Sequence, residues 1–590
     1  MYDLRCRGEL VGHLSRLGNI GGVLLLSSTC ATCQLVESWN HVFDESRSLD
    51  QAVAIAVGDD GAAYIAAQWA PAQSALSDVR TLKYSVTGEL QWSVVFDSAP
   101  GSDDRPVDMA MDGEGNVVVT GLSHNVQSRT AALILKYDMT GGLLWSRVYS
   151  RDQFSQDRGV SVLVDAANNV YVAGTTSPSL SPAGEDYVVL KYNTDGSLLW
   201  ATAPVGRGQQ DTVVDAQFAS DGTVYITGVS VQGNESAFLT VKYSVNGELM
   251  WDREYNSGDA NIYVGGLAAH PHGGVVVVGR IGPTGNENMA ALMYSGAGDL
   301  LWDRVYDSPR REFDMATAVV VDDMGDVYVA GISGTEQDFL TLKYNVTGDL
   351  VWERRYDGPS RLGDGAKAVA LAPHGGIYVT GGANTLQGQD MVTLKYGSDG
   401  SLLWTGTLRG PTGPRRILAP AAMAVDRFGA VTITGSSVTE SEYDMITVRY
   451  SPDCNANESP DDIEVITVPG DDVNDNGMPD ECEGGLQVPG DCNQDGKLDI
   501  SDAQCILGVL FDGIPNVFPC GDGASDHPGN LAVLDWEPNG QIDITDAIRL
   551  LVHIFDGGPG AALEGALEED QTCAIVAGCA EVQGCRSVGP

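Results

Sequence analysis

The sequence predicts a mainly β chain: an eight-bladed β-propeller closed by its N-terminal strand, followed by a small α-helical domain. Three observations carry this expectation. One short stretch of sequence recurs through the middle of the chain, with tryptophans from Trp39 to Trp404 spaced 50 to 55 residues apart. No helix-length amphipathic pattern interrupts that repeat. Cysteine and acidic charge are concentrated at the C-terminal end, so a region held together by other means follows the repeat.

The recurring ending is LKYSVTGELQW at Trp92, LKYDMTGGLLW at Trp145, LKYNTDGSLLW at Trp200 and VKYSVNGELMW at Trp251. It continues as LMYSGAGDLLW at Trp302, LKYNVTGDLVW at Trp352 and LKYGSDGSLLW at Trp404. Each repeat contains four short runs rich in Val, Tyr and Thr. They are illustrated by residues 316–321 before a D-x-x-G turn, 326–331 (DVYVAG), 339–344 (FLTLKY) and the run starting at Trp302 (WDRVYD). Runs this short, separated by Gly-containing turns, are antiparallel strands. Gly88, Gly142, Gly196, Gly247, Gly298, Gly348 and Gly400 stand between the Lys-Tyr run and the Trp run. A positive φ at such a glycine makes these two strands hairpin partners.

A four-stranded sheet of this size cannot bury both faces alone, and stacking such sheets around an axis solves the problem. Each sheet ends with its Trp strand, because the tight hairpin ties that strand to the one before it. Seven sheets are then complete. The eighth has three strands, the last ending at Tyr450 with no Trp after it. Residues 39–43, starting at Trp39, supply the missing fourth strand and close the ring. The expected organisation is a leader over 1–33, a propeller over 34–450, an acidic calcium-loop linker over 451–486, a helical pair over 487–560 and a cysteine-containing tail over 561–590. The periodic Trp is expected to anchor neighbouring sheets to each other, since large aromatics dominate such contacts; a carbohydrate-stacking platform is the other reading. The repeated lysines Lys83, Lys136, Lys191, Lys242, Lys343 and Lys395 are expected to be solvated strand positions, Met293 and Arg449 replacing them in two repeats.

On these residues the segment from about 39 to 450 resembles the bacterial β-propeller repeats labelled SBBP. The T-G-x-L-x-W endings are similar to the tryptophan-docking motif of eight-bladed quinoproteins. Quinone sites in that family use a vicinal disulfide and a propeller calcium site, whereas no cysteine occurs here between Cys33 and Cys454. The SBBP resemblance implies a fold and very little about activity.

Asp and Glu total 80 against 34 Lys and Arg, for a formal net charge of -46. Such a chain does not hold phosphate backbones by charge neutralisation, which excludes nucleic acid as an expected partner. Anionic membrane surfaces are excluded for the same reason. From Cys454 onward 27 acidic residues face three basic ones, Lys497, Arg549 and Arg586, so more than half of the net charge sits there. Hard cations are the natural counter-ions of so many carboxylates. At the other end, Arg5, Arg7 and Arg16 precede an apolar run over 20–26 and small residues over 27–33, the order of a secretory signal. Export to the cell surface or medium is the expectation. The cysteines beyond 453 number eight, a set suited to disulfides in an oxidising compartment. No later apolar stretch is long enough to span a bilayer.

Calcium takes six to eight oxygens, and a 12-residue loop supplies them from positions 1, 3, 5, 7, 9 and 12, with Gly at 6 for the sharp turn. DCNQDGKLDISD fits, offering Asp491, Asn493, Asp495, Asp499 and Asp502 with the carbonyl of Lys497 and the turn at Gly496. DWEPNGQIDITD fits again, with Asp535, Glu537, Asn539, Asp543, Asp546, the carbonyl of Gln541 and the turn at Gly540. Each loop runs into an apolar helix, over 503–511 and 547–555. Ile506, Val509 and Leu510, like Leu550, Leu551 and Ile554, fall on one helical face. DVNDNGMPDECE offers a third set: Asp472, Asn474, Asn476, Asp480, Glu483 and the carbonyl of Met478. Residues 453–464 have similar spacing with Glu458 where Gly is needed. Carboxylates at ligand spacing repel each other until calcium turns that repulsion into coordination, so folding couples to the metal. Disulfide connectivity stays open, with Cys492–Cys520 and pairs among Cys573, Cys579 and Cys585 among the candidates.

The paired loops and helices resemble a type I dockerin, the EF-hand-like calcium module that docks onto cohesin domains, over about residues 488–560. Its recognition positions correspond to Ile500-Ser501 and Ile544-Thr545, where isoleucines replace the usual small polar residues. The third loop resembles the repeats of thrombospondin type 3. These resemblances imply Ca2+ as the bound ion and a cohesin-like protein or cell-surface component as a docking partner. No G-x-S-x-G, H-E-x-x-H or Walker motif marks a catalytic centre. Two functions compete: an exported calcium-binding scaffold with a propeller as platform, and an extracellular polysaccharide hydrolase or lyase carrying a dockerin.

Overall fold

A computed structural model of the chain describes residues 34–453, apart from short breaks in loops. Beyond them it describes Pro460, Ile463, Gly484–Gln487, Cys492, Ala503, residues 505–507, Leu510, Leu534, Ile542, Ile544–Asp556 and Ala574–Ala577. The described chain is mainly β and propeller-like, built from four-stranded antiparallel groups in chain order. The first group runs Leu49–Val57, Ala63–Ala70, Asp78–Tyr84 and Leu90–Phe96. Six more follow, their first strands being Asp103–Met111, Gln156–Val164, Gln210–Phe218, Tyr263–Ala269, Asp314–Val321 and Asp364–Leu371. The last group has Arg416–Val425, Val431–Val438 and Tyr443–Asp453.

Its fourth strand is β1 (Gln34–Phe43), which lies antiparallel to Tyr443–Asp453 with Trp39 opposite Arg449 and Gln34 opposite Asp453. The last strand therefore continues three residues past Tyr450, and Asp453 is buried in the sheet edge. The first strand of each group contacts that of the next, and Arg416–Val425 contacts Leu49–Val57, so the order is circular. Apolar side chains fill the spaces between neighbouring groups. Trp302, Val319, Val327, Leu340 and Tyr344 form one such cluster across two groups. Each large apolar side chain buried this way contributes about 1.5–3 kcal/mol.

The tryptophans are the anchors the sequence predicts. Trp145 donates its indole N–H to the carbonyl of Thr194 (2.9 Å), in the hairpin turn of the following group. Trp39, Trp92, Trp251, Trp302 and Trp352 make the equivalent bond to Val86, Met139, Gly296, Val346 and Ser398. The ring lies over the turn glycine: a Cβ on Gly348 (φ 79°) would stand 2.8 Å from Trp302. That glycine is needed both for its left-handed backbone and for the close approach. In the second group the turn residue is Gly141 (φ 86°) rather than the expected Gly142, because Gly141 is the third residue after Asp138 and closes the turn on its carbonyl.

The repeated lysines are buried or half-buried rather than solvated, which corrects the sequence expectation. Lys136, Lys242 and Lys343 are buried. Lys136 pairs with Asp112 at 2.7 Å and Lys343 with Asp326 at 2.7 Å. The ammonium of Lys191, Lys242, Lys343, Lys83 and Lys395 lies over a tyrosine ring of its own group, Tyr171, Tyr225, Tyr328, Tyr64 and Tyr378. Lys343 and Lys242 also donate to the next group's turn, at Ser398 and Gly296. A lysine on a strand is ordinarily solvated, whereas here neighbouring groups cover both faces of the sheet. A buried charge is tolerated because a carboxylate, a ring face or both meet it. Arg449, fully buried, plays the same part against Asp426 (2.6 Å) and the carbonyl of Gly61. In the fifth group all three members change together, to His270, Val276 and Met293, and no buried cation is left there to neutralise.

Candidate functional site

Of the residues assigned to the three calcium loops, Asp546 is described and the rest lie outside the described residues. Asp546 is fully buried, in the first turn of α1 (Ile544–Asp556). Position 12 of the loop is thus placed at a helix N-terminus, where free backbone N–H groups favour a carboxylate. Ala547 and Leu550 on α1 are buried, as are Ala503 and Ile506 behind the first loop, together with Leu534 and Ile542. The apolar faces predicted for the two helices are therefore interior at these positions. Ile544, one of the departures from the dockerin recognition pair, is exposed.

Cys492 is joined to Cys505, 13 residues on. This differs from the Cys492–Cys520 pairing considered above. Cys492 is the second residue of the first loop and Cys505 lies in the apolar segment after it, so the bridge closes the loop on itself. Closing about 15 residues removes roughly 3 kcal/mol of unfolded-chain entropy. The donor set fits a hard cation: carboxylates, amide oxygens and a backbone carbonyl, on a segment with almost no basic partner. A strand pair, Gly484–Gln487 with Ala574–Ala577, brackets the two loops in sequence.

The body of the chain carries a second set of carboxylates, which the sequence reading missed. An aspartate recurs at the second or first residue of the first strand: Asp50, Asp104, Asp157, Asp211, Asp314 and Asp364, all buried. It holds the loop that enters the group. Asp104 accepts Ser98 N–H at 2.6 Å, and Asp314 accepts Ser308 N–H at 2.8 Å. Periodicity was the available signal, hidden among the 80 acidic residues. Two of these aspartates sit in triads, Asp78–Asp97–Asp104 and Asp338–Asp357–Asp364, whose oxygens lie within 4.8 Å of each other. Burial, then the charges of Asp97, Asp104 and Asp103, push Asp78 up to about 6.

Asp108 and Asp215 are a different pair, each following the bulge of a first strand. Asp108 accepts the N–H of Val162 in the next group (2.8 Å) and of Met109 (2.8 Å). Asp215 likewise accepts Leu267 N–H (3.0 Å) and Ala216 N–H (2.8 Å). Both keep some accessible surface, yet their carboxyls are packed round closely enough for burial to dominate. It raises Asp108 to about 6 and, with the charge of Asp108 added, Asp215 to about 7. Each carboxylate ties one innermost strand to the next, which is a fastening role.

No protein-family model matches the sequence, and no curated protein matches it. Among solved structures the chain is similar to Sqt1 of Chaetomium thermophilum bound to the N-terminus of a ribosomal protein. That match is 9% identical, covers 69% of this chain and 98% of that one, and has a TM-score of 0.45. It is also similar to the WD40 domain of SCAP from fission yeast (8% identical, 71% and 98% covered, TM-score 0.40). A third likeness is to an inactive virginiamycin B lyase from Staphylococcus aureus with quinupristin (12%, 58% and 94%, TM-score 0.36). No activity follows from them. No described helix is long and apolar enough to cross a membrane.

Proposed function

We propose that the chain is an exported calcium-binding scaffold. Its body is an eight-bladed propeller, closed by β1, that serves as a binding platform. Its C-terminal end is a dockerin-like module that docks to a protein partner, of cohesin type or on the cell surface, when calcium is bound. The observation that carries this reading is the duplicated ligand spacing over 491–502 and 535–546. The buried Asp546 heading α1 supports it, because loop position 12 then leads directly into a helix whose Ala547 and Leu550 are interior.

Calcium would supply the charge that lets these carboxylates converge. Asp491, Asn493, Asp495, Asp499 and Asp502 would hold one ion; Asp535, Glu537, Asn539, Asp543 and Asp546 a second; Asp472, Asn474, Asn476, Asp480 and Glu483 a third. The backbone carbonyls of Lys497, Gln541 and Met478 complete the sets. The chain's own work is to present these oxygens on loops braced by the Cys492–Cys505 bridge and by the apolar side of α1. The test is calorimetric titration of calcium into the chelator-stripped full chain, beside capture of partners from culture fractions with and without chelator. At least two sites and a chelator-sensitive partner are expected; no heat of binding would sink the module.

A further inference from the structure

The internal repeat gives each position of a group seven counterparts, so a side chain found in one group alone is not demanded by the fold. Arg355 is such a residue. The position three past the Trp is Val42, Val95, Val148 or Val305 in four groups, and Ala203, Glu254 or Thr407 in three others. In the group after Trp352 it is arginine, and a polar network is built on it. Arg355 donates Nη1 to Ser333 Oγ (2.8 Å) and Nη2 to Tyr306 Oη (2.8 Å). Its Nε meets Glu353 Oε1 at 3.1 Å, and Tyr306 donates to the same Glu353 oxygen at 2.8 Å.

This network borders a cavity of about 320 Å³ lined by Ser308, Pro309, Glu312, Thr335, Asp338 and Arg355. That volume is near the lower end of small-ligand sites. The Thr335 N–H donates to Glu312 (3.3 Å), so the carboxylate of one loop steadies the other loop. Two of the three described non-glycine residues with left-handed backbone lie in loops at this end of the group, Gln337 (φ 61°) and Arg361 (φ 51°). Non-glycine residues hold such angles where the surroundings fix them, and these positions cluster at binding sites.

We propose that this cavity binds one neutral sugar residue, which deepens the platform reading and rests on it. The lining sets two carboxylate acceptors beside a guanidinium donor and two hydroxyls. A pyranose with neighbouring hydroxyls satisfies donors and acceptors together and lays its C–H face on Pro309. An anion would meet Glu312 and Asp338 with Arg355 already neutralised by Glu353. A cation would meet Arg355.

The experiment is saturation-transfer NMR on the full chain with glucose, galactose, mannose and xylose, and with glucuronic acid and galactose 6-sulfate as charged arms, each with and without chelator. At least one neutral sugar shows transfer, with chelator present or absent, since the cavity is remote in sequence from the calcium loops. Arg355→Val, which restores the residue of four other groups and keeps the fold, weakens binding about tenfold or more. Thr335→Val, at an exposed site, weakens it as well. Transfer from no neutral sugar, preference for a charged one, or unchanged binding in both variants overturns the proposal. Sugar binding without a chelator-sensitive partner would instead sink the docking reading alone.

Discussion

The body and the C-terminal end of this chain solve the same problem in opposite ways. In the body, charge is brought inside and cancelled by the protein itself. Lys136 finds Asp112, Lys343 finds Asp326 and Arg449 finds Asp426, among apolar side chains that supply most of the stability. At the C-terminal end acidic residues outnumber basic ones by 27 to three, so cancellation cannot be internal. The lesson is that net charge says little about a fold until each charge is assigned a partner. In the body carboxylates are structural where a cation of the chain faces them, as at Asp112 and Asp426, or where backbone N–H groups do, as at Asp108 and Asp215; the proposed function assigns those of the C-terminal end to calcium.

The sharpest way to break this contrast is at the seam of the body. Deleting residues 34–43 removes β1, with buried Leu35 and Trp39, and leaves Tyr443–Asp453 an open edge. Two large buried side chains and a full strand ladder are lost, so a fall of more than about 5 kcal/mol in body stability is expected. Denaturant unfolding followed by tryptophan fluorescence measures it. An unchanged midpoint would show that the ring does not depend on its closure.

Chelation should act on the other region alone. If the C-terminal end binds calcium as proposed, free calcium about a thousandfold above Kd would stabilise that end by roughly 4 kcal/mol and leave the body unchanged. Calorimetric scans should show two transitions, one moving with calcium and the other fixed. Two moving transitions would mean that the body also holds ions, at its aspartate triads for instance.

A smaller effect tests the internal cancellation. Lys136→Met leaves Asp112 buried without its cation and is expected to cost about 3 kcal/mol or more. Changing Asp112 to Ala as well should recover most of that loss, since the fifth group already runs on His270, Val276 and Met293. Equal losses in the single and double variants would show that the pair is not what matters.

How much of this was legible depends on the kind of signal. Sheet grouping, hairpin partners and the part of β1 followed from periodicity, which is a property of the sequence itself. The burial of the repeated lysines did not, because it depends on what the next group lays over them. Comparing the repeats shows only that the group carrying Met293 has lost the carboxylate and the ring as well, at His270 and Val276, whereas Val118 and Ala372 replace the ring or the carboxylate in groups that keep the lysine. The ligand spacings of the C-terminal loops were plain in the sequence, whereas the Cys492–Cys505 pairing was not, since spacing alone leaves every pairing open. The cavity beside Arg355 was invisible because its lining comes from three separate segments, at 308–312, 334–338 and 355.

The smallest expected effect is also the one that separates the two regions by sign. In the body Asp78 and Asp108 are raised to about 6 and Asp215 to about 7, and Asp186, Asp314 and Asp364 are raised as well, burial being the first cause in each. A carboxyl with a raised value holds its proton in the folded chain after the unfolded chain has released it. Its contribution is complete below about pH 4 and is lost as pH rises through the folded value. Body stability should therefore decline between about pH 4 and pH 7, with His270, held down by burial, opposing the trend below its ordinary value. Under the proposed function the C-terminal end should do the reverse, because carboxylates must be deprotonated to hold calcium. Asp215→Asn keeps an acceptor for Leu267 and removes the titration, so it should flatten the body's slope by of order 2 kcal/mol across that range. Melting curves in saturating calcium, taken through the same range, show whether the two transitions move apart as pH falls. Parallel movement would mean that the raised carboxyls of the body do not govern its stability.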